Sequence, residues 1–290
     1  MNPLKLESPQ AFLEDVRSLM VATVASTSLG FVTRESENVL AGGKMLRSRL
    51  AWRLGRAGRT ERRTLVYAAA AVEMIHAASL LHDDVIDGGI LRRNLPTFWV
   101  QRGASAAILL GDLLLFKGID LICQVEQGRL TQDLVRLTGE VCEAESEQEI
   151  VFQDQPSTLD ICESIARRKT GALFAFAALA AGGREANLVS ALREAGYRIG
   201  AAYQLADDVL DANGKAELAG KTLGTDEKRK IPSAADLNGR GAQAALARME
   251  QLRTESVDLL AAWPDVQQCL RDYIGQDLEP ALQQLCSCAS

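Results

Sequence analysis

The stretch LLHDDVIDGGILRRN, residues 80–94, places three carboxylates directly after an apolar run and answers them with two arginines. The run belongs to a longer segment, 61–82, in which apolar residues recur three and four apart, the spacing of a helix face. That helical pattern carries on to about residue 88, where Gly88-Gly89 break it. In a helix, residues four apart share a face, so Asp83 and Asp87 stack with Asp84 beside them. Three like charges within one turn repel one another, and they stand at the helix C-terminus, the unfavourable end of the dipole for anions. Such an arrangement makes physical sense when cations neutralise it.

The pattern occurs twice. HDDVID at 82–87 returns as ADDVLD at 206–211, again after an apolar helical stretch. Asp207, Asp208 and Asp211 therefore repeat the geometry of the first cluster. A single D-D-x-x-D reads most simply as a solvated helix end; two near-identical copies do not. Hard divalent cations take oxygen ligands and keep several waters, which makes Mg²⁺ the natural candidate. Two facing clusters could clamp a substrate diphosphate between them.

The remaining sequence sets the fold class. Only 7 prolines occur among 290 residues, period-two β-branched runs are missing, and helical spacing dominates. Helices are predicted near 8–29, 34–40, 46–56, 61–88, 103–124, 128–143, 145–152, 157–181, 185–212, 232–259 and 264–285, with a long polar segment at 213–232. No linker-like composition or short tandem repeat divides them. The expectation is one all-α domain over 1–290, a single large bundle of roughly ten helices around a central cavity. At 47% hydrophobic residues the chain can bury a sizeable core. A net charge of −6 argues against a general nucleic-acid binder. The six cysteines form no C-x-x-C pair, which favours reduced thiols and a cytoplasmic setting. The tail CSCAS does not fit a prenylation signal, and the first residues lack the apolar core of an export signal. No uncharged apolar run reaches the length of a membrane span; the greasiest, 104–116, is cut by Asp112.

Basic residues fall into three groups. Arg92 and Arg93 follow the first cluster, and arginine's planar fork suits phosphate. In GGKMLRSR, Lys44 and Arg47 lie three apart on one helix face, after the loosened backbone of Gly42-Gly43. Lys221, Lys228 and Lys230 sit in GKTLGTDEKRK. These bases read as ligands for one or two diphosphates, or as surface charges. His76 lies two turns before Asp83; periodicity alone favours a packed structural role for it and for His82.

Taken together these motifs resemble the trans, head-to-tail isoprenyl diphosphate synthases. GGKMLR looks like the family's G-G-K-x-x-R segment, and EMIHAASLLHDDVIDGGILRRN like its first aspartate-rich motif with the histidine upstream. RKTGALF at 168–174 carries its Lys-Thr pair, and YQLADDVLDANGKAELAGKTLGTD looks like its second aspartate-rich motif and lysine-bearing flap. The resemblance runs from about residue 40 to 232. It implies that Asp83, Asp84, Asp87, Asp207 and Asp211 hold Mg²⁺ on an allylic diphosphate, with Asp208 beside them. Arg92, Lys169 and Lys221 would contact that same diphosphate, and Lys44, Arg47, His76 and Arg93 that of isopentenyl diphosphate. Thr170 and Gln204 would face the reacting carbons, and Lys230 would correspond to a second flap lysine. A homodimer is also implied. The chain departs from the pattern at Ser48, where proline is usual, at Asn94, where glycine is usual, and in a flap about two residues short before Pro232.

Product length is read from the helix before Asp83. Residues four and five before it, Ser79 and Ala78, lie one turn deeper and are too small to floor a pocket. Ile75, Val72 and Ala71 follow. A product longer than farnesyl, of the octaprenyl type, is expected; a short-chain synthase is the alternative. A terpene cyclase would need a different second metal motif and more than 5% aromatics. A non-catalytic subunit on the same fold would usually lose aspartates, and all six are present. A di-iron bundle would need Glu-x-x-His pairs, and none occurs.

Overall fold

A computed structural model of the chain describes residues 7–31, 43–125, 128–213, 231–232, 234 and 241–288. The predicted helix at 34–40, most of the polar segment 213–232, and with it Lys221 and Lys230, lie outside these residues. Twelve α-helices are described. The first five are α1 (Pro9–Ala25), α2 (Leu46–Gly55), α3 (Arg62–Ile86), α4 (Phe98–Arg102) and α5 (Ala104–Cys123). Next come α6 (Arg129–Ile150), α7 (Leu159–Ala166), α8 (Ala172–Leu179) and α9 (Ala186–Asn213). The last three are α10 (Gly241–Asp258), α11 (Pro264–Tyr273) and α12 (Glu279–Cys288). The all-α bundle expected from the spacing is the fold observed.

Its centre is α3, α8 and α9. Every residue of α8 is buried. The alanine-rich middle of α3, Ala68 to Ala78, is buried apart from His76, which is largely covered. By length and composition alone α3 could cross a bilayer, but 72% of its most apolar window is buried inside the protein, as in a core helix. Small residues let these helices approach closely. A Cβ at Gly200 would meet Gly171 Cα at 2.4 Å, and one at Gly196 would meet Ala175 Cα at 2.5 Å. Across α5, a Cβ at Gly118 would meet Ala71 O at 2.9 Å and one at Gly111 would meet the His82 ring at 2.2 Å. The stripe Ala71, Ile75, Ala78, His82 on α3 therefore faces α5.

Three elements differ from expectation. α6 runs unbroken through EAESEQ because that stretch holds no glycine or proline, and its acids meet Lys169 and Arg168 at 2.8 and 2.5 Å. The helix predicted over 157–181 is split by a π-helical turn, Arg167–Gly171, and ends in a 3₁₀ turn, Ala180–Gly182. The helix predicted over 264–285 is split likewise, by a π-helical turn at Ile274–Leu278. A short hairpin also follows the first aspartate cluster. β1 (Leu91–Arg92) pairs antiparallel with β2 (Leu95–Pro96), Leu91 opposite Pro96 and Arg92 opposite Leu95. Arg93 and Asn94 both take left-handed φ, 55° and 62°, as a two-residue hairpin of this hand requires. Asparagine tolerates that conformation, which accounts for Asn94 in place of glycine.

Candidate active site

The sequence-derived residues gather where α3, α2 and the hairpin meet, and along the π-helical turn before α8. α3 ends at Ile86 with Asp87 as its C-cap, and Gly88 takes a left-handed φ of 64°, which stops the helix. Asp83 and Asp84 therefore stand in its last turn. The carbonyl of Gly89 accepts from Thr97 Oγ at 2.8 Å and from Trp99 Nε1 at 2.7 Å, and these bonds fold the hairpin back onto the helix end. Arg92 on β1 thereby reaches Asp84, with Nε and a terminal nitrogen 2.9 and 2.8 Å from Oδ1. Arg93, in the turn, lies against the backbone of Gly43; a Cβ there would sit 2.6 Å from its guanidinium.

Arg47, in the first turn of α2, is buried with its guanidinium 4.8 Å from the Phe174 ring centroid. His76 lies within the fields of Arg47, Arg92 and Arg93, and burial together with those cations holds its pKa well below the ordinary histidine value. At neutral pH the imidazole is therefore uncharged, and the positive charge of this pocket is carried by arginines, which stay ionised even when buried.

On the other side stand the acids. Burial, then the charge of Glu145, pushes Asp83 up to about 6, against the opposing pull of Lys169 and Arg92. Burial also raises Asp84, partly offset by its bond to Arg92. Lys169 Nζ, in the π-helical turn, donates to Glu145 Oε2 at 2.8 Å and to Gln148 Oε1 at 3.1 Å. The next residue, Thr170, donates through its hydroxyl to Gln204 Oε1 at 2.6 Å. Gln204 in turn donates to Asp208 Oδ1 at 2.9 Å, and Asp208 Oδ2 accepts from the Ala234 N–H at 3.4 Å. Lys169 and Thr170 thus link the two clusters, Asp83 through Glu145 and Asp208 through Gln204. Asp207 lies near Tyr203, whose hydroxyl it helps hold protonated after burial has done most of that work. Asp87 caps α3; Asp211 is described only as part of the backbone of α9.

Among the described residues, no three His, Cys, Asp or Glu side chains converge closely enough to hold a metal ion. Asp84 and Asp208, expected to serve with the cations, are engaged by Arg92 and by Gln204 and Ala234. The donor chemistry nonetheless fits a hard divalent cation: carboxylate oxygens throughout, and in Asp83 a carboxyl raised by burial and by the neighbouring charge of Glu145.

Two groups went unrecognised in the sequence. Glu145 and Gln148 receive Lys169, and their signal was the spacing of three that sets them on one face of α6. Glu73 is buried, and its Oε1 accepts from the Ser48 N–H at 3.1 Å and the Ser48 hydroxyl at 2.9 Å. A proline has neither donor, so Ser48 is the residue that can hold Glu73. Its signal was a lone charge inside the run LVYAAAAVEMIHAASLL.

A sequence model of the polyprenyl synthetase family matches residues 32–257, a span that contains both aspartate clusters and the basic segment before α2. The chain belongs to this family. It is an enzyme, a prenyl diphosphate synthase of the polyprenyl synthetase kind. It is 30% identical to the farnesyl diphosphate synthase of Escherichia coli, over 96% of this chain and 94% of that one. It is 34% identical to the octaprenyl diphosphate synthase of Haemophilus influenzae, over 72% of this chain and 66% of that one. Among solved structures it resembles a polyprenyl synthase from Caulobacter crescentus complexed with calcium and isoprenyl diphosphate. That likeness has a TM-score of 0.73 at 26% identity, over 97% of this chain and 94% of the other. The family's products thus span short and long chains at similar identity.

Proposed function

We propose that this polyprenyl synthetase condenses isopentenyl diphosphate with an allylic diphosphate, in a Mg²⁺-dependent head-to-tail reaction, to give an all-trans prenyl diphosphate longer than farnesyl. The observation that carries this reading is the neutral His76 ringed by Arg47, Arg92 and Arg93, two helical turns from the crowded carboxyls of Asp83 and Asp84. An anion pocket and a cation-demanding cluster side by side are what a reaction between two diphosphates needs.

Lys44, Arg47, His76 and Arg93 would hold the diphosphate of isopentenyl diphosphate. Arg92, Lys169 and Lys221 would hold the allylic one, with Lys230 closing from the flap. Mg²⁺, bound by Asp83, Asp84, Asp87, Asp207 and Asp211 with Asp208 beside them, would supply charge to the departing diphosphate. The allylic C–O bond breaks as negative charge moves to the diphosphate oxygen, where these cationic side chains would stabilise it. The homoallylic π electrons then form the new C–C bond, and a proton leaves to the released pyrophosphate. Thr170 and Gln204, oriented by their mutual hydrogen bond, would present oxygen dipoles to the cation. The buried faces of α3 and α8 exclude water that would otherwise trap it.

Ala78 and Ser79 support the longer product. Ala78 is buried on the stripe that faces α5, Ser79 is half-buried, and neither is bulky. A second copy of the chain is the proposed partner, because α5 presents Ile108, Leu109 and Phe116 to solvent, the last two 67% and 68% exposed.

The test is incubation with Mg²⁺, labelled isopentenyl diphosphate and, in turn, dimethylallyl, geranyl or farnesyl diphosphate, with dephosphorylated products sized by chromatography. Products beyond the farnesyl length are expected, and Ala78→Tyr should shorten them. Extension that stops at farnesyl would refute the length assignment. An unchanged length in Ala78→Tyr would mean the chain grows along another wall.

A further inference from the structure

The turn that bears Lys44 is tied to the other end of the chain. Gly43 and Met45 both take positive φ, 103° and 48°. For methionine that conformation persists only where the surroundings hold it. They hold it through a closed ring of polar contacts. Arg49, in α2, donates Nε–H to the Lys44 carbonyl at 3.0 Å. A terminal nitrogen of the same guanidinium donates to Asp277 Oδ1 at 3.1 Å, and Asp277 Oδ2 accepts from Arg53 Nε at 2.7 Å. The Lys44 ammonium donates in turn to the Ala281 carbonyl at 3.2 Å, one turn beyond Asp277.

The ring is dry where it is charged. The Asp277 side chain is 3% exposed and that of Arg53 is 9% exposed. Asp277 belongs to the π-helical turn Ile274–Leu278, and Tyr273 just before it is fully buried within the field of Arg47. The Tyr273 hydroxyl and Arg47 Nε are both buried without a hydrogen-bond partner among the described residues. The C-terminal segment thus borders the pocket of Arg47 and holds the Lys44 ammonium beside it.

We propose that Asp277 is a positioning residue for the isopentenyl diphosphate site, acting through Arg49 and Arg53 to fix the Lys44–Arg47 turn. The proposal rests on the reading of Lys44 and Arg47 given above. Asp277 touches no substrate; it keeps a strained turn in register so that two cations meet one diphosphate together. Loss of that register should weaken binding of isopentenyl diphosphate and leave the allylic site, held by other elements, untouched. A merely structural role would lower activity toward both substrates alike.

Steady-state kinetics on the full chain separate these cases, each substrate being varied against saturation of the other. Lys44→Gln should raise KM for isopentenyl diphosphate about tenfold or more, and Asp277→Asn about fivefold, with KM for the primer within about twofold. Asp277→Glu should restore most of the loss. The double variant Asp277→Asn/Arg49→Gln should be no worse than the poorer single one. If Lys44→Gln shows the selective rise and Asp277→Asn does not, the proposal is overturned and the site assignment stands. If Lys44→Gln shows no selective rise, the assignment fails and the proposal falls with it. Should Asp277→Asn not fold, Arg49→Gln decides, since its side chain is 26% exposed where that of Asp277 is 3%; an unchanged KM there overturns the proposal.

Discussion

Asp83 and His76 carry opposite titration signatures within one pocket. Asp83 binds its proton more tightly folded than unfolded, so the stability it contributes is complete below about pH 4 and is lost as pH rises through about 6. His76 runs the other way: its folded pKa is depressed, so stability is lost as pH falls below the ordinary histidine value. Removing the Asp83 charge should therefore stabilise the metal-free protein at pH 7.5, by roughly 1–2 kcal/mol for a half-buried carboxyl, and leave it unchanged near pH 4. Thermal unfolding of Asp83→Asn and the native chain at the two pH values checks this, and equal gains at both would refute it. Asp83 stood out in the sequence by its crowded motif, whereas His76 gained a site role only through the family resemblance, periodicity alone favouring a packed structural one. The neutrality of His76 was not legible, because it comes from burial in the folded bundle and from Arg47, Arg92 and Arg93, which reach it from another helix and from the hairpin.

At the scale of elements, the contact between α9 and the turn before α8 sets the Thr170–Gln204 hydrogen bond. Gly171 and Gly200 make that approach possible, their backbones meeting where any Cβ would collide. Gly200→Ala should part the two elements, destabilise the protein by about 1–3 kcal/mol and cut kcat more than tenfold. Denaturant unfolding and single-substrate kinetics measure the two effects; a variant with native kcat would show that the bond does not position the reacting groups. The helices themselves were legible from spacing and breaks, and the two aspartate-bearing helix ends fall where the motifs placed them. The π-helical turn was not legible. Nothing in RRKTG marks it, since it follows from the close approach of Tyr197 and Gly200, distant in sequence. The hairpin was missed for a different reason: two-residue strands are too short to show a period.

At the scale of the molecule, α5 holds its glycine face against α3 and turns Leu109 and Phe116 outward, one heptad apart. A homodimer that covers this face should dissociate in Leu109→Glu/Phe116→Glu, because burying two carboxylates in an apolar interface costs more than the contact returns. Sedimentation of the native chain at dimer mass and of the variant at monomer mass is expected; a native monomer would refute the assignment. The all-α architecture and the helix ends that carry the two acidic motifs were readable from residue order alone; the third basic group, Lys221, Lys228 and Lys230, lies outside the described residues. The tie between Lys44 and Asp277 was not, because it joins residues more than two hundred positions apart. The measurement that bears most directly on the whole account is the rate at which labelled isopentenyl diphosphate enters organic-extractable product from an allylic primer, with and without Mg²⁺, in the native chain and in Asp83→Asn. Mg²⁺-dependent incorporation that falls by two orders of magnitude or more in the variant is predicted, in line with the loss of charge stabilisation at a departing group. No incorporation by the native chain with any primer, or equal rates without Mg²⁺, would contradict it.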